Sequence, residues 1–381
     1  MKKRLGSIDL FRGLCIIWMI VGHSIGWWTT SEFSSEVHLI TLVVDAFGAA
    51  GFLFVSGMSI TLSYLNKREK AQDTDGYNYR HLRLEYFLRA LFILIVGFIY
   101  NTIMVIQYFN ILISWQWFIL QTIPISIMLM WPLLKYNKFV KLSVAIAFLI
   151  VDYFLFSLLS SFAYDFSNPY GILHYILYNG HQLSPILGFF PFFISGSIIG
   201  GILYEDYFSF EEQIDVNKQK VLLKFSLPIV LMGIGLILIG FFVVQPGIIT
   251  KNQLSWLLYA AGAQLIFFSL LFTIEKLEII TIDKKYRFFY YFSYYSFSIF
   301  LLHYPIYFLF LNSLTLIQFF LIIPFVVIII GLGLKLVYHT LGPWFSLKTQ
   351  LSRLATETSF IIEELQNNKK KKENPVKAVK V

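Results

Sequence analysis

Residues 7–28 read SIDLFRGLCIIWMIVGHSIGWW, and their centre, from Leu14 to Val21, is apolar without interruption. An apolar segment of about 20 residues spans the hydrocarbon of a bilayer as an α-helix. Asp9, Arg12 and His23 interrupt the apolar character. An ionisable side chain at membrane depth costs a few kcal/mol on insertion scales, so it marks a pathway or a site rather than chance. Arg12 and His23 are eleven residues apart, close to three helical turns. They therefore share one face, separated by about 16–17 Å along the axis. Asp9 falls within about one turn of the same stripe.

The rest of the chain agrees with a membrane reading. Of 381 residues, 57% are hydrophobic and only 14% charged, which leaves too little polar surface for a soluble domain of this length. Trp and Tyr are expected at the two interfaces, as at Trp27, Trp28, Trp115, Trp117 and Trp256. The net charge of +8 does not point to nucleic acid, because the basic residues sit in short connections between apolar runs. Cys15 is the single cysteine, so an internal disulfide is excluded. Asp9 and Arg12 break what would be a signal-peptide core, and no small-x-small cleavage site follows before Trp27.

Windows of about 20 apolar residues give ten expected spans, near 8–28, 39–65, 87–107, 111–134, 139–162, 184–204, 221–245, 254–275, 289–311 and 314–337. The fold class is therefore all-α: a polytopic membrane helix bundle of about ten transmembrane helices. An N-terminus in the cytoplasm puts Lys67, Arg68, Lys70, Arg80 and Arg83 in the first inner connection. Lys135, Lys138 and Lys141, then Lys218 and Lys220, then Lys276, Lys284, Lys285 and Arg287 fall in the next three. The outer connections carry only Lys251, so the positive-inside pattern places both termini in the cytoplasm of a cell-membrane protein. Residues 1–345 form the expected membrane domain, and 346–381 a cytoplasmic appendix. In it, Ser346 to Gln366 reads as an amphipathic surface helix, and NNKKKKENPVKAVKV as a disordered basic tail near anionic lipid. There is no internal repeat, no Gly-rich phosphate loop and no His/Cys cluster with metal-ligand spacing.

The second span runs opposite to the first and places Asp45 at the depth of His23. A carboxylate beside an imidazole orients the ring and raises its basicity. Ser56 and Gly57 lie at the depth of Arg12, and the small residues around them leave room for a close backbone or a ligand. Asn101, Gln121, Gln264 and His303 add polar groups at middle depth. Interhelical hydrogen bonding and a role in a site are equally open readings of the two glutamines. Arg89, with Arg80 and Arg83 before it, suits a phosphorylated compound arriving from the cytoplasm, although topology alone also explains loop arginines.

Four stretches together resemble the transmembrane acyltransferase superfamily, which includes acyltransferase-3 and heparan-α-glucosaminide N-acetyltransferase-like proteins. They are SIDLFRGLCIIWMIVGHS with Arg12 and His23, VVDAFGAAGFLFVSGMSI with Asp45 and Ser56-Gly57, FILQTIPISI with Gln121, and FSYYSFSIFLLHYPIY with His303. The resemblance implies acyl transfer from a cytoplasmic acyl-CoA, with acetyl-CoA the expected donor and no metal, to a hydroxyl or amine of an extracytoplasmic glycan. It implies catalysis by His23, Asp45 and His303, with His23 taking the acceptor's proton. Arg12, Arg80, Arg83, Arg89, Ser56 and Gly57 would hold the donor. Gln121, His38 and His181 would meet the acceptor. The animal glucosaminide acetyltransferases carry a histidine in the loop between the first two helices and Asn where His23 stands. Here that loop offers only His38. The outer connection 163–183, with His174 and His181, is the natural place for acceptor specificity, although loop histidines are usually solvated. Partners in this reading are acyl-CoA, the glycan acceptor and membrane lipids, with a homodimer as the assembly to consider and no nucleic acid. The alternative is a proton-coupled small-molecule transporter using the Arg12/His23/Asp45 stripe, against which stands the lack of paired, Gly/Pro-broken half-helices in matching repeats. A membrane sensor without chemistry is the third reading.

Overall fold

The computed structural model describes residues 5–73, 78–178, 183–205, 221–244, 253–279 and 287–373. These form an all-α bundle, and nine helical segments among them are long and apolar enough to cross a membrane. They correspond to nine of the ten expected spans. The first is α1, Gly6–Trp28. The second is bent: α2, Ser34–Val44, gives way to a tight turn at Asp45–Phe47 before α3, Ala49–Asp73. Then come α4, Tyr79–Tyr108, α5, Ile119–Leu133, and α6, Lys138–Leu159. A short helix, α7, Pro169–Leu177, precedes α8, Ile186–Leu203. α9, Leu227–Leu238, is flanked by wider π-type turns, and α10 is Leu254–Lys276.

The expected span 289–311 is not a continuous helix. It is divided into α11, Arg287–Tyr294, and α12, Ser296–Leu302, followed by a tight turn at Tyr304–Leu309. Each helical piece is shorter than the bilayer requires. Ser293 and Ser298 spend their hydroxyls on Asp9 and on the Phe345 carbonyl. Pro305 then offers no N–H and its ring would clash with a helical carbonyl, so the helix stops at Leu302. The passage begins against α1, where a Cβ on Gly13 would lie 2.4 Å from the Phe289 carbonyl oxygen. It ends beside the other end of α1, where the Leu314 amide donates to the Trp28 carbonyl at 2.8 Å. α13, Leu316–Thr340, runs back, and α14, Leu347–Glu373, completes the chain.

α8 is apolar on all sides and sits inside the bundle, between α3, α5 and α6. Two glycines set its distance from α3. A Cβ on Gly196 would fall 1.8 Å from the Phe54 carbonyl oxygen, and one on Gly57 would fall 2.0 Å from that of Phe193. Small residues let membrane helices approach this closely. Phe11, Phe54, Phe225, Phe268 and Phe272 pack a second core between α1, α3 and α10. The start of α1 is capped from α10: the Gly6 and Ser7 amides donate to the Glu275 carboxylate at 2.9 and 2.7 Å. An anion there complements the positive end of the helix dipole.

α14 is longer than the amphipathic helix expected at 346–366, since helix continues to Glu373 through residues expected to be disordered. It lies along the first turns of α4. Asn78 donates to Glu363 at 3.0 Å, Thr356 to Glu85 at 3.0 Å, and His81 pairs with Glu363. Glu85 in turn pairs with Lys67 of α3. Polar side chains thus dock the appendix on the bundle face where α4 begins.

Candidate active site

One face of α1, carrying Cys15, Met19, His23 and Trp27, lines a cavity of about 760 Å³. His38, Thr41 and Asp45 line it from the α2–α3 bend, Tyr100, Met104 and Tyr108 from α4, and His303 and Tyr304 from the broken ninth passage. The bend aims Asp45 inward. Breaking a helix leaves its last carbonyls without intrahelical donors, and α10 supplies them. Trp256 Nε1–H donates to the Leu42 carbonyl at 2.9 Å, the Tyr259 hydroxyl to Val43 at 2.9 Å, and Gln264 Nε2 to Ala46 at 2.8 Å. Gln264 therefore holds helices together. Trp18 Nε1–H donates to Asp45 Oδ1 at 3.3 Å, which fixes the carboxylate against α1.

His23 and His303 meet in this cavity. Their rings stack with centroids 5.2 Å apart, and Trp27 stacks on both, at 5.2 Å from His23 and 5.9 Å from His303. His303 is buried and His23 is exposed to the cavity. His303 Nδ1 lies 2.6 Å from the Phe300 carbonyl oxygen. A carbonyl only accepts, so Nδ1 carries the hydrogen and Nε2 is left as the proton-accepting nitrogen.

Arg12 lies outside the cavity, below its floor of Cys15, Ile16, Phe52 and Ile123. Its guanidinium is buried and reaches Asp9 Oδ1 at 3.2 Å, the Ser293 hydroxyl at 3.3 Å and the Ser59 hydroxyl. Ser293 also donates to Asp9 at 3.0 Å. Asp9 is thereby the counter-ion of Arg12, in a node that ties α1 to α3 and α11. Arg89 of α4 is within electrostatic reach of Arg12 and Glu85. Arg80 and Arg83 are exposed, and Arg80 bonds to Gln366 of α14.

Of the other expected residues, His38 lies at the cavity and Gly57 and Gln121 lie away from it. Gly57 is occupied by the close approach of α8, which leaves no cradle for a ligand, and Ser56 beside it is half-buried. Gln121 donates to the Gly97 carbonyl at 2.8 Å and to Asn101 Oδ1 at 2.9 Å, so its amide joins α5 to α4. His38 lines the cavity mouth and is exposed. His181 lies outside the described residues. His174, expected to be solvated, is buried in α7, and burial pushes its imidazole towards the neutral form.

Trp18, Trp27 and Tyr304 are site residues that the sequence reading assigned to the membrane interface or passed over. Trp27 was within reach: it stands four residues after His23, on the same helix face. A family model described as an acyltransferase domain matches residues 5–338, nearly all of the bundle. No curated protein matches the chain.

Proposed function

Because the chain belongs to the acyltransferase-3 family, and so is a multi-pass membrane acyltransferase, we propose that it moves an acetyl group from cytoplasmic acetyl-CoA to a hydroxyl or amine of a glycan outside the membrane. The observation that carries this reading is the stacked His23–His303 pair in a cavity that Asp45 also lines. One imidazole of the pair takes the proton of the acceptor as its oxygen or nitrogen attacks the thioester carbonyl, and returns it to the sulfur as the C–S bond breaks and CoA departs. His23, the more exposed ring, is the proton acceptor. His303 Nε2 is basic, so His303 receives a hydrogen bond from the acceptor instead of polarising a carbonyl. Trp27 lies flat against both rings, where its π face favours a positive imidazolium.

Arg12 and Arg89, on the other side of the cavity floor, fit the phosphates of the donor. Their charges are buried or half-buried at the bundle face rich in Lys and Arg, which the positive-inside rule assigns to the cytoplasm. The heparan-α-glucosaminide branch of the superfamily is not the one matched, and family membership does not favour a transporter. The test is release of free CoA by the purified full chain given acetyl-CoA and candidate glycan acceptors. Turnover should collapse in His23→Ala; unchanged turnover would remove His23 from the mechanism. A chain that fails to bind CoA in a thermal-shift assay would reopen the transporter reading.

A further inference from the structure

Between α4 and the segment that follows α12, side chains close the wall of the cavity. The rings of Tyr100 and Phe300 meet with centroids 6.2 Å apart. Nearer the cavity mouth, Gln107 Nε2 donates to the Tyr304 hydroxyl at 2.5 Å, and the Tyr108 and Tyr304 hydroxyls lie 3.3 Å apart. Tyr100, Tyr108, Phe300 and Tyr304 line the cavity on their inner side. Their neighbours on the outer side are exposed apolar residues, Ile103 and Ile106 on α4 and Leu302 and Phe308 on the ninth passage, in positions that face lipid. The seam is therefore cavity wall on one side and bilayer-facing surface on the other.

The backbone permits this wall to open. α4 packs mainly on α5, α14 and α3, whereas α12 packs on α1 and α14. The ninth passage leaves the helix at His303, and Pro305 prevents its resumption. Tyrosine and glutamine rotamers that shut a seam exchange quickly, without separation of packed helices.

We propose that this seam is a lateral portal from the bilayer into the cavity, and that the acceptor is an amphiphile: a hydroxylated head group carried on a hydrocarbon anchor. The inference deepens the acyltransferase reading by naming the acceptor class. Two phenols and a carboxamide at the rim exchange hydrogen bonds with the hydroxyls of a passing head group. Ile103, Ile106, Leu302 and Phe308 match a chain that stays in lipid. Tyr304 adjoins His303 and meets Trp27 with ring centroids 5.8 Å apart, so a head group that passes Tyr304 arrives at the histidine stack.

The test reconstitutes the full chain, carrying Cys15→Ser, Gln107→Cys and Tyr304→Cys, into phosphatidylcholine vesicles. The vesicles hold a long-chain alkyl glucoside bearing a diazirine on its sugar, and a glucose diazirine serves as the soluble probe. After irradiation, mass spectrometry should find the alkyl probe on Met104 and His303, labelled at least roughly fivefold more than by the soluble probe, because the anchor concentrates the sugar at the membrane. Bridging the two cysteines after folding, with a bifunctional thiol reagent, should remove most of that labelling while Ile103 stays labelled. Labels confined to Ile103, Ile106 and Phe308 would overturn the portal, as would equal labelling by the soluble probe or labelling indifferent to the bridge. The readout is labelling, so a failure of CoA release counts against the acyltransferase reading and leaves the portal separately tested.

Discussion

The imidazoles of His23 and His303 stack 5.2 Å apart, although one stands in the first helix and the other where the ninth passage breaks. The Nδ1–H of His303 is committed to the Phe300 carbonyl, which fixes its tautomer. The stack joins two elements remote in sequence, so each ring can be substituted by itself.

His23→Ala should lower acetyl-CoA-dependent CoA release by roughly 100-fold or more, the usual scale for loss of general-base catalysis. His303→Ala should cost a comparable factor. The double variant should fall little further, because the two rings act on one proton. Steady-state CoA release by all three variants checks this; strictly additive losses would mean independent roles.

The Arg12 node should act on stability as well as on donor binding. Arg12→Ala leaves the buried Asp9 carboxylate without its guanidinium, a loss on the scale of about 3–5 kcal/mol for a broken buried pair. Asp9→Ala added to it should restore part of the melting temperature, because no uncompensated charge then remains. Thermal unfolding in detergent measures both. Recovery of the melting point without recovery of CoA binding would separate the two functions of Arg12.

Gln121→Leu should destabilise the bundle by about 1–3 kcal/mol, because the Asn101 oxygen and Gly97 carbonyl lose a buried donor. Its KM for the acceptor should stay near that of the wild type, since the side chain lies outside the cavity. A KM rise without loss of stability would return Gln121 to the acceptor site.

Gly196→Leu should abolish the folded bundle, because its Cβ would meet the Phe54 carbonyl oxygen at 1.8 Å and backbone cannot give way. Gly201→Ala is the control, since its Cβ meets nothing within 4 Å. Size-exclusion profiles of the two variants should differ sharply.

Burial keeps the His174 imidazole below the ordinary protonation range of about 6.5. The unfolded chain therefore binds this proton more readily than the folded one, and the associated stability is present above that range and lost as pH falls below it. Hydrogen-exchange protection across residues 169–178, taken relative to the intrinsic amide rate at each pH, should fall between roughly pH 7 and pH 5.5, the interval where the unfolded imidazole charges. His174→Phe should flatten this response.

The positions of the nine helices were legible in the apolar runs, because partition into a bilayer depends on local composition and length. Gln264 and Gln121 were legible only as polar residues needing partners. Which partners they have, the Ala46 carbonyl and the Gly97–Asn101 pair, is set by helix packing, on which spacing is silent. The break at His303 was hidden for a related reason. Phe, Tyr and Leu fill that passage as they fill a helix, and the hydroxyls of Ser293 and Ser298 reach segments remote in sequence.

The sequence by itself determined a polytopic helical bundle and the stripe of Arg12 and His23 on one helix face, since 3.6 residues per turn fix such relations locally. Tertiary structure alone decided that Arg12 answers to Asp9, Ser59 and Ser293 and that His23 answers to His303. It also decided that Gly57 belongs to the α3–α8 contact. These relations depend on which helices become neighbours, and that choice is made by close packing of the whole bundle rather than by the pattern along any one helix.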